Sequence, residues 1–312
     1  MIGKEEHLVS VVIPCYNYAR YLGEAVESVL AQSYPHFEII VVDDGSTDNI
    51  VEAVARFPKV RLIRQKNQGL SAARNTGLWE SKGSYLVFLD ADDRLLPDAL
   101  ERGVNSLSAN PACAFVVGQS LFISADGSAL PTTPRYCDDE DIYRAFLSRN
   151  YIRMTGMVMF RRSVFDSVSD FDTSFDACSD YDLYLRITRD FPVHFHNHPV
   201  AEYRKHGENM SYNSALMMKT ILEVIRSQRA YVKGKKKYED AYRIGIRFYQ
   251  EYYGDQLMNQ VRRHLRAREW GSIVGQSLAF LRHSPRGFIK HASRKLSLVF
   301  SNSVARPSGR DE

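Results

Sequence analysis

The chain has 312 residues, 44% apolar and 25% charged, a composition that suits a globular protein with a real core and argues against disorder. Its net charge is only +4, but residues 1–215 hold 21 Lys and Arg against 29 Asp and Glu, while residues 216–312 hold 20 against 8. The acidic front and basic back point the back half toward an anionic partner, and the lack of any apolar run of 18 residues argues against a membrane-crossing helix.

The front half alternates two periods. Short apolar runs at Val9–Pro14, Glu38–Asp43, Val60–Arg64 and Tyr85–Asp90 fit strands covered on both faces. Helical patterns lie between and after them, at Tyr21–Gln32, Asn49–Phe57, Leu70–Ser81 and Leu96–Leu107. This alternation predicts an α/β fold, a mostly parallel Rossmann-like sheet with helices on both faces. Further strands are expected at Ala114–Ser124, Thr155–Phe160 and Val193–Phe195, and helices at Asp138–Leu147 and Asp180–Arg189. Ala201–Tyr212 reads as a polar loop. Beyond it come helical patterns at Ala215–Val232, Tyr238–Leu257, Asn259–Arg268, Gly271–Arg282 and Arg286–Phe300. The expected division is a catalytic domain over 1–214, a basic helical extension over 215–300 and a disordered tail over 301–312.

Ligands of such sheets bind beyond the carboxyl ends of the strands. Those ends read Pro14-Cys15-Tyr16-Asn17, Asp43-Asp44-Gly45-Ser46, Gln65-Lys66-Asn67-Gln68-Gly69 and Asp90-Ala91-Asp92-Asp93. All are polar and two carry clustered acids. Asp90 and Asp92 are two residues apart at a strand end, so their carboxylates can converge on one face, a donor set for a hard cation such as Mn²⁺ or Mg²⁺. Asp43-Asp44 can also be read as an Asx turn before a helix, but that leaves the second acid unexplained.

Five motifs in order, Val11 to Asn17, Val41 to Asp48, Asn67 to Asn75, Phe88 to Asp93 and Ser179 to Leu183, make the chain resemble glycosyltransferase family 2, with its GT-A fold. The resemblance covers residues 8–212. It implies an inverting, metal-dependent transfer of a sugar from a nucleotide diphosphate donor, UDP-sugar by default, with thymidine or guanosine as alternative nucleosides. The acceptor would be a hydroxyl of a glycan or lipid-linked precursor of a surface polysaccharide.

On that resemblance Asp92 is the direct metal ligand, with Asp93 and His206 assisting. Asp44 meets the nucleobase, Pro14 and Tyr16 form the opposite wall, and Asn17, Asp43, Asn67, Gly69, Arg74, Asp90 and Ala91 complete the nucleotide-sugar site. Asp180 is the catalytic base; an aspartate carboxyl ordinarily titrates at about 3.9 and is ionised at neutral pH. The family commonly carries Glu before that Asp; here the residue is Ser179. Asp182, two residues on, faces away and is the secondary candidate.

Two other readings compete: a sugar-phosphate nucleotidyltransferase, whose Gly-rich loop is absent after the first strand, and a non-catalytic nucleotide-sugar-binding protein. No G-x-G-x-x-G follows a strand, against a dehydrogenase, and neither Trp79 nor Trp270 sits in a Q-x-x-R-W context, against a processive membrane synthase. Four cysteines without a C-x-x-C pair read as buried apolar groups in a reducing compartment. No signal peptide is read, so the expected location is cytoplasmic, or peripheral on the cytoplasmic face of the inner membrane. There the basic helices would meet anionic lipid. No nucleic-acid partner is expected.

Overall fold

Strands without polar alternation must be covered on both sides. In the computed structural model, which describes residues 7–285, 287 and 288, this holds for β1 (Val9–Cys15), buried throughout, and for the last five residues of β2 (Phe37–Asp43). They line up in parallel with β3 (Val60–Arg64) and β4 (Tyr85–Phe88). The helices between them are α1 (Ala19–Leu30), α2 (Ile50–Ala55) and α3 (Leu70–Glu80). Register places Cys15 opposite Asp43 and Asp43 opposite Arg64, while Leu89 continues β4 by donating to the Val12 carbonyl. The four strand ends therefore open on one edge.

The rest of the sheet is mixed. After β5 (Arg94–Leu95) and α4 (Ala99–Ala109) come β6 (Phe115–Ser124), β7 (Ala129–Leu130), α5 (Ile142–Ser148), β8 (Val158–Arg161), α6 (Phe165–Val168), α7 (Ser179–Asp190) and β9 (His194–Lys205). The strand order is β3-β2-β1-β4-β8-β6-β9-β5, with β7 on β6; β8 runs antiparallel to both β4 and β6.

Two expectations need correction. Residues 201–205 are strand, not loop, because β9 runs for 12 residues along β6. Its polar stretch His194 to His198 and Pro199 hid this, Pro199 falling at a break in register. Asn259–Arg268 is not a separate helix, since α10 (Lys236–Ala267) continues through it.

Before α10 lie α8 (Ser214–Ser227) and α9 (Arg229–Val232), and after it α11 (Trp270–His283). The segments expected as helix at Arg286–Phe300 and as tail at 301–312 fall, apart from residues 287 and 288, outside the described residues. Tyr249, Tyr253 and Leu257 of α10 share one buried cluster with Tyr181 and Leu185 of α7. The Asn150 N–H donates to the Tyr249 hydroxyl at 2.7 Å. α10 presses so closely on the end of α5 that a Cβ on Gly245 would overlap the Leu147 carbonyl oxygen.

That contact generates a test. Gly245→Ala gains helix propensity of about 1 kcal/mol, but backbone overlap costs about 1–3 kcal/mol and should win. The variant should melt several degrees lower; an unchanged melting temperature would show that α10 does not dock on α5 this way.

Candidate active site

Asp43 and Asp44, at the end of β2, do different work. Asp43 is fully buried: its Oδ1 accepts the Ser46 N–H at 2.8 Å and its Oδ2 accepts Arg64 Nε at 2.8 Å. It is the turn-former that the Asx reading anticipated. Asp44 organises the next loop. Its Oδ1 accepts from Gln65 Nε2 at 2.7 Å and the Gln68 N–H at 2.9 Å, and its Oδ2 accepts the Gly69 N–H at 2.8 Å. Gly69 has φ +91°, a left-handed conformation that suits glycine.

The first and second strand ends are laced together. Asn17, at φ +58°, donates its N–H to Ser46 Oγ at 2.9 Å, and its Oδ1 accepts the Thr47 N–H at 2.8 Å. Asp48 Oδ2 takes the Ala19 N–H at the start of α1. Pro14 is buried, whereas Tyr16, Asn17, Asn67 and Gly69 are exposed around the mouth so formed.

Arg74, in α3, is 4% exposed. Its Nη2 reaches Asp90 Oδ1 at 2.8 Å and Thr155 Oγ1 at 3.5 Å, and its face lies over the Phe171 ring. Burial alone would pull the guanidinium down; Asp90 and Asp180 beside it outweigh this and hold it above its usual range. Burial pushes the Asp180 carboxyl up and Arg74 pulls it back. Arg74 therefore pairs in the interior and not at the surface.

Asp180 stands in the first turn of α7 but does not cap it; that position is Cys178, at φ +57°. Ser179 Oγ accepts the Ser71 hydroxyl at 2.8 Å, fastening α7 to α3. Asp182 is buried and paired with Arg186 Nε at 2.8 Å.

Asp92 and Asp93 follow β4, with Ala91 buried between them and Asp90. Asp93 Oδ1 accepts the Arg204 N–H at 2.8 Å, while its Oδ2 is buried without a partner. Asp92 Oδ2 meets His206 Nε2 at 2.9 Å. His206 Nδ1 accepts the Glu208 N–H at 3.3 Å, which assigns the ring hydrogen to Nε2 and makes the imidazole a donor to Asp92. Asn209 braces the turn by taking the His206 N–H at 2.6 Å. Tyr21 stacks on the imidazole. Burial, then the neighbouring carboxylates, push Asp92 up and Asp93 well up.

A cation here would relieve those buried acids, and their oxygens suit Mn²⁺ or Mg²⁺. Among the described residues no three carboxylate, imidazole or thiol groups already stand at ligand spacing. The set therefore fits a cation that draws its other oxygens from a diphosphate and water, as Mg²⁺ commonly does.

Arg204 was missed from sequence. It is fully buried, its Nε donating to the Asp92 carbonyl at 2.8 Å and its Nη2 to Glu24 Oε2 at 2.6 Å, so it supports the acidic turn from beneath. Reading 201–212 as a loop hid it.

The family model described as glycosyl transferase family 2 matches residues 10–169. A chondroitin synthase from Escherichia coli is 30% identical over 243 residues, 76% of this chain and 34% of that protein. An uncharacterized glycosyltransferase from Rickettsia prowazekii is 32% identical over 216 residues, 67% of each. The chain spans about a third of the length of the first few such relatives. Among solved structures, S. aureus TarS in complex with UDP superposes with TM-score 0.60 at 15% identity, over 90% of this chain and 82% of that one. A mannosyltransferase from Pyrobaculum calidifontis, in complex with GDP-Man and Mn²⁺, gives 0.59 at 19%, over 93% and 80%. These likenesses bear out the GT-A fold.

Asp44→Ala removes the acceptor for two backbone amides. Charged hydrogen bonds are worth about 1.5–3 kcal/mol, so the Gln68 and Gly69 amides should exchange with deuterium roughly tenfold faster or more, with core strands unaffected. Unchanged exchange at those amides would remove Asp44 as the anchor of this loop.

Proposed function

The chain belongs to glycosyl transferase family 2, and from that premise we propose that it moves a sugar from a nucleotide diphosphate donor, UDP-sugar by default, to a hydroxyl of a glycan or lipid-linked acceptor in surface polysaccharide synthesis. The observation that carries this reading is the buried Arg74 standing between Asp90, at the end of β4, and Asp180, on α7. It joins the strand-end acids to the acid expected to do the chemistry.

Asp180 accepts the proton of the acceptor hydroxyl. The hydroxyl oxygen bonds to the anomeric carbon from the face opposite the diphosphate. The bond from that carbon to the phosphate oxygen breaks, and its electron pair leaves on the nucleoside diphosphate. A divalent cation at Asp92, with Asp93 and His206 behind it, would supply positive charge against the leaving group. Beside its three loop donors Asp44 keeps about one lone-pair site for an N–H of the base. Pro14, Tyr16 and Asn17 face it across the mouth, with Asn67, Gly69, Asp90 and Ala91 lining the sugar-nucleotide, and Asp43 shapes the turn beneath.

No helix among the described residues is long and apolar enough to cross a membrane. Peripheral docking on anionic lipid is supported by α11, which exposes Val274, Leu278 and Leu281, and by Arg262, Arg263, Arg266 and Arg268, exposed nearby. Sedimentation at low salt should pellet the protein with anionic vesicles and not with neutral ones; equal pelleting would refute docking.

A panel of nucleotide sugars with Mn²⁺ tests the reaction. Asp180→Asn should cost at least about a hundredfold in turnover while donor affinity by calorimetry stays the same; near-normal transfer would remove Asp180 from the mechanism. Activity falls as pH drops through the Asp180 pKa. Because Arg74 lowers that value, Arg74→Met should shift the acid limb of the kcat/KM profile to higher pH.

A further inference from the structure

A second cluster, of cations, borders the acids. The Lys205 ammonium stands 3.5 Å from the centroid of the Phe122 ring, and the Arg153 guanidinium carbon 4.9 Å from it. Arg153 Nη2 donates to the Thr133 carbonyl, but its Nε and Nη1 are buried with no partner. Arg135 is clamped beside them by Gln119, whose Nε2 donates to the Arg135 carbonyl at 2.8 Å and whose Oε1 accepts its N–H at 3.1 Å. Among the described residues none of the three cations has a carboxylate partner. Burial, then Arg135, pushes the Arg153 guanidinium down to about 10. Arg135 is exposed and Arg153 and Lys205 are half-buried, and like charges so close together, with two buried guanidinium nitrogens unpaired, are costly unless an anion joins them.

The cluster has a definite side. Lys205 precedes His206, Phe122 stands in register with Tyr203, and Arg204 between Tyr203 and Lys205 donates its N–H to Asp93 Oδ1 at 2.8 Å. Thr155, two residues after Arg153, is 3.5 Å from Arg74. The loops assigned to the nucleotide follow β1, β2 and β3, at the other end of the strand order from β6 and β9.

We propose that Arg135, Arg153 and Lys205 form an anion subsite on the acceptor side of the centre, which takes a carboxylate or phosphate group carried by the acceptor glycan. That the anion comes from the acceptor rests on the glycosyltransferase reading; that the cluster binds an anion does not.

The test uses the full chain saturated with UDP and Mn²⁺, titrated with inorganic phosphate, D-glucuronate and, as neutral control, D-glucose. Phosphate or glucuronate should bind and glucose should not, and the preferred probe separates a phosphate-bearing acceptor from a uronic one. An Arg153→Gln/Lys205→Gln double variant with unchanged UDP affinity should bind that anion at least about tenfold more weakly, whereas Arg153→Lys should retain most of it. Equal binding by wild type and double variant, no anion binding by wild type, or competition with UDP would overturn the proposal. Anion binding through these side chains in a chain that does not take UDP would uphold the subsite and remove the donor reading beneath it.

Discussion

A guanidinium at 4% exposure cannot be left without counter-charge, and the placement of Arg74 therefore governs the centre of this molecule. Its Nη2 is taken by Asp90 at 2.8 Å, and Asp180 contributes the next largest favourable charge after Asp90. Removing one partner from a buried pair costs about 3–5 kcal/mol. The end of β4, the helix α3 and the start of α7 are thereby tied into one arrangement, and the Ser71–Ser179 hydrogen bond repeats the tie nearby. Burial pushes the Asp180 carboxyl up, and the same guanidinium pulls it back.

The parallel half of the fold was legible because its signals are local. The runs that became β1, β2 and β4 are largely buried on both faces, whereas β3, with Arg61 and Arg64, is the sheet's half-exposed edge; the polar residues after these runs read as strand ends. The mixed half was harder. β9 begins with three histidines and an asparagine among its first five residues and carries a proline at the break in its register. Its place beside β6 is decided by Val200, Ala201 and Arg204, whose burial depends on partners more than seventy positions away. The hydrophobic pattern of the long helix α10 weakens at Met258 and suggests a division there, yet Leu257 and Val261 continue its buried face.

The acids of the site were all visible in the sequence, but their division of labour was not. Asp43 and Asp44 are neighbours with opposite fates. A strand sends successive side chains to opposite sides, so Asp43 turns inward to Arg64 and the Ser46 amide while Asp44 turns to the loop of Gln68 and Gly69. His206 has a similar history. As a lone histidine in a supposed loop it carried little information; at the end of β9, braced by Asn209 and stacked on Tyr21, it is aimed at Asp92.

The helical extension and the catalytic sheet meet where the unpaired cations lie. Tyr249 of α10 receives the Asn150 N–H, and the Arg135 guanidinium Nη1 donates to the Asn150 carbonyl at 3.4 Å, so both sides of one residue are held, one by the extension and one by the cation cluster. Arg153 follows three residues later. The extension thus helps to hold the segment that carries Arg153. The segment between Asn150 and Thr155 links α10, through the Tyr249 hydroxyl, to Arg74, through Thr155 Oγ1.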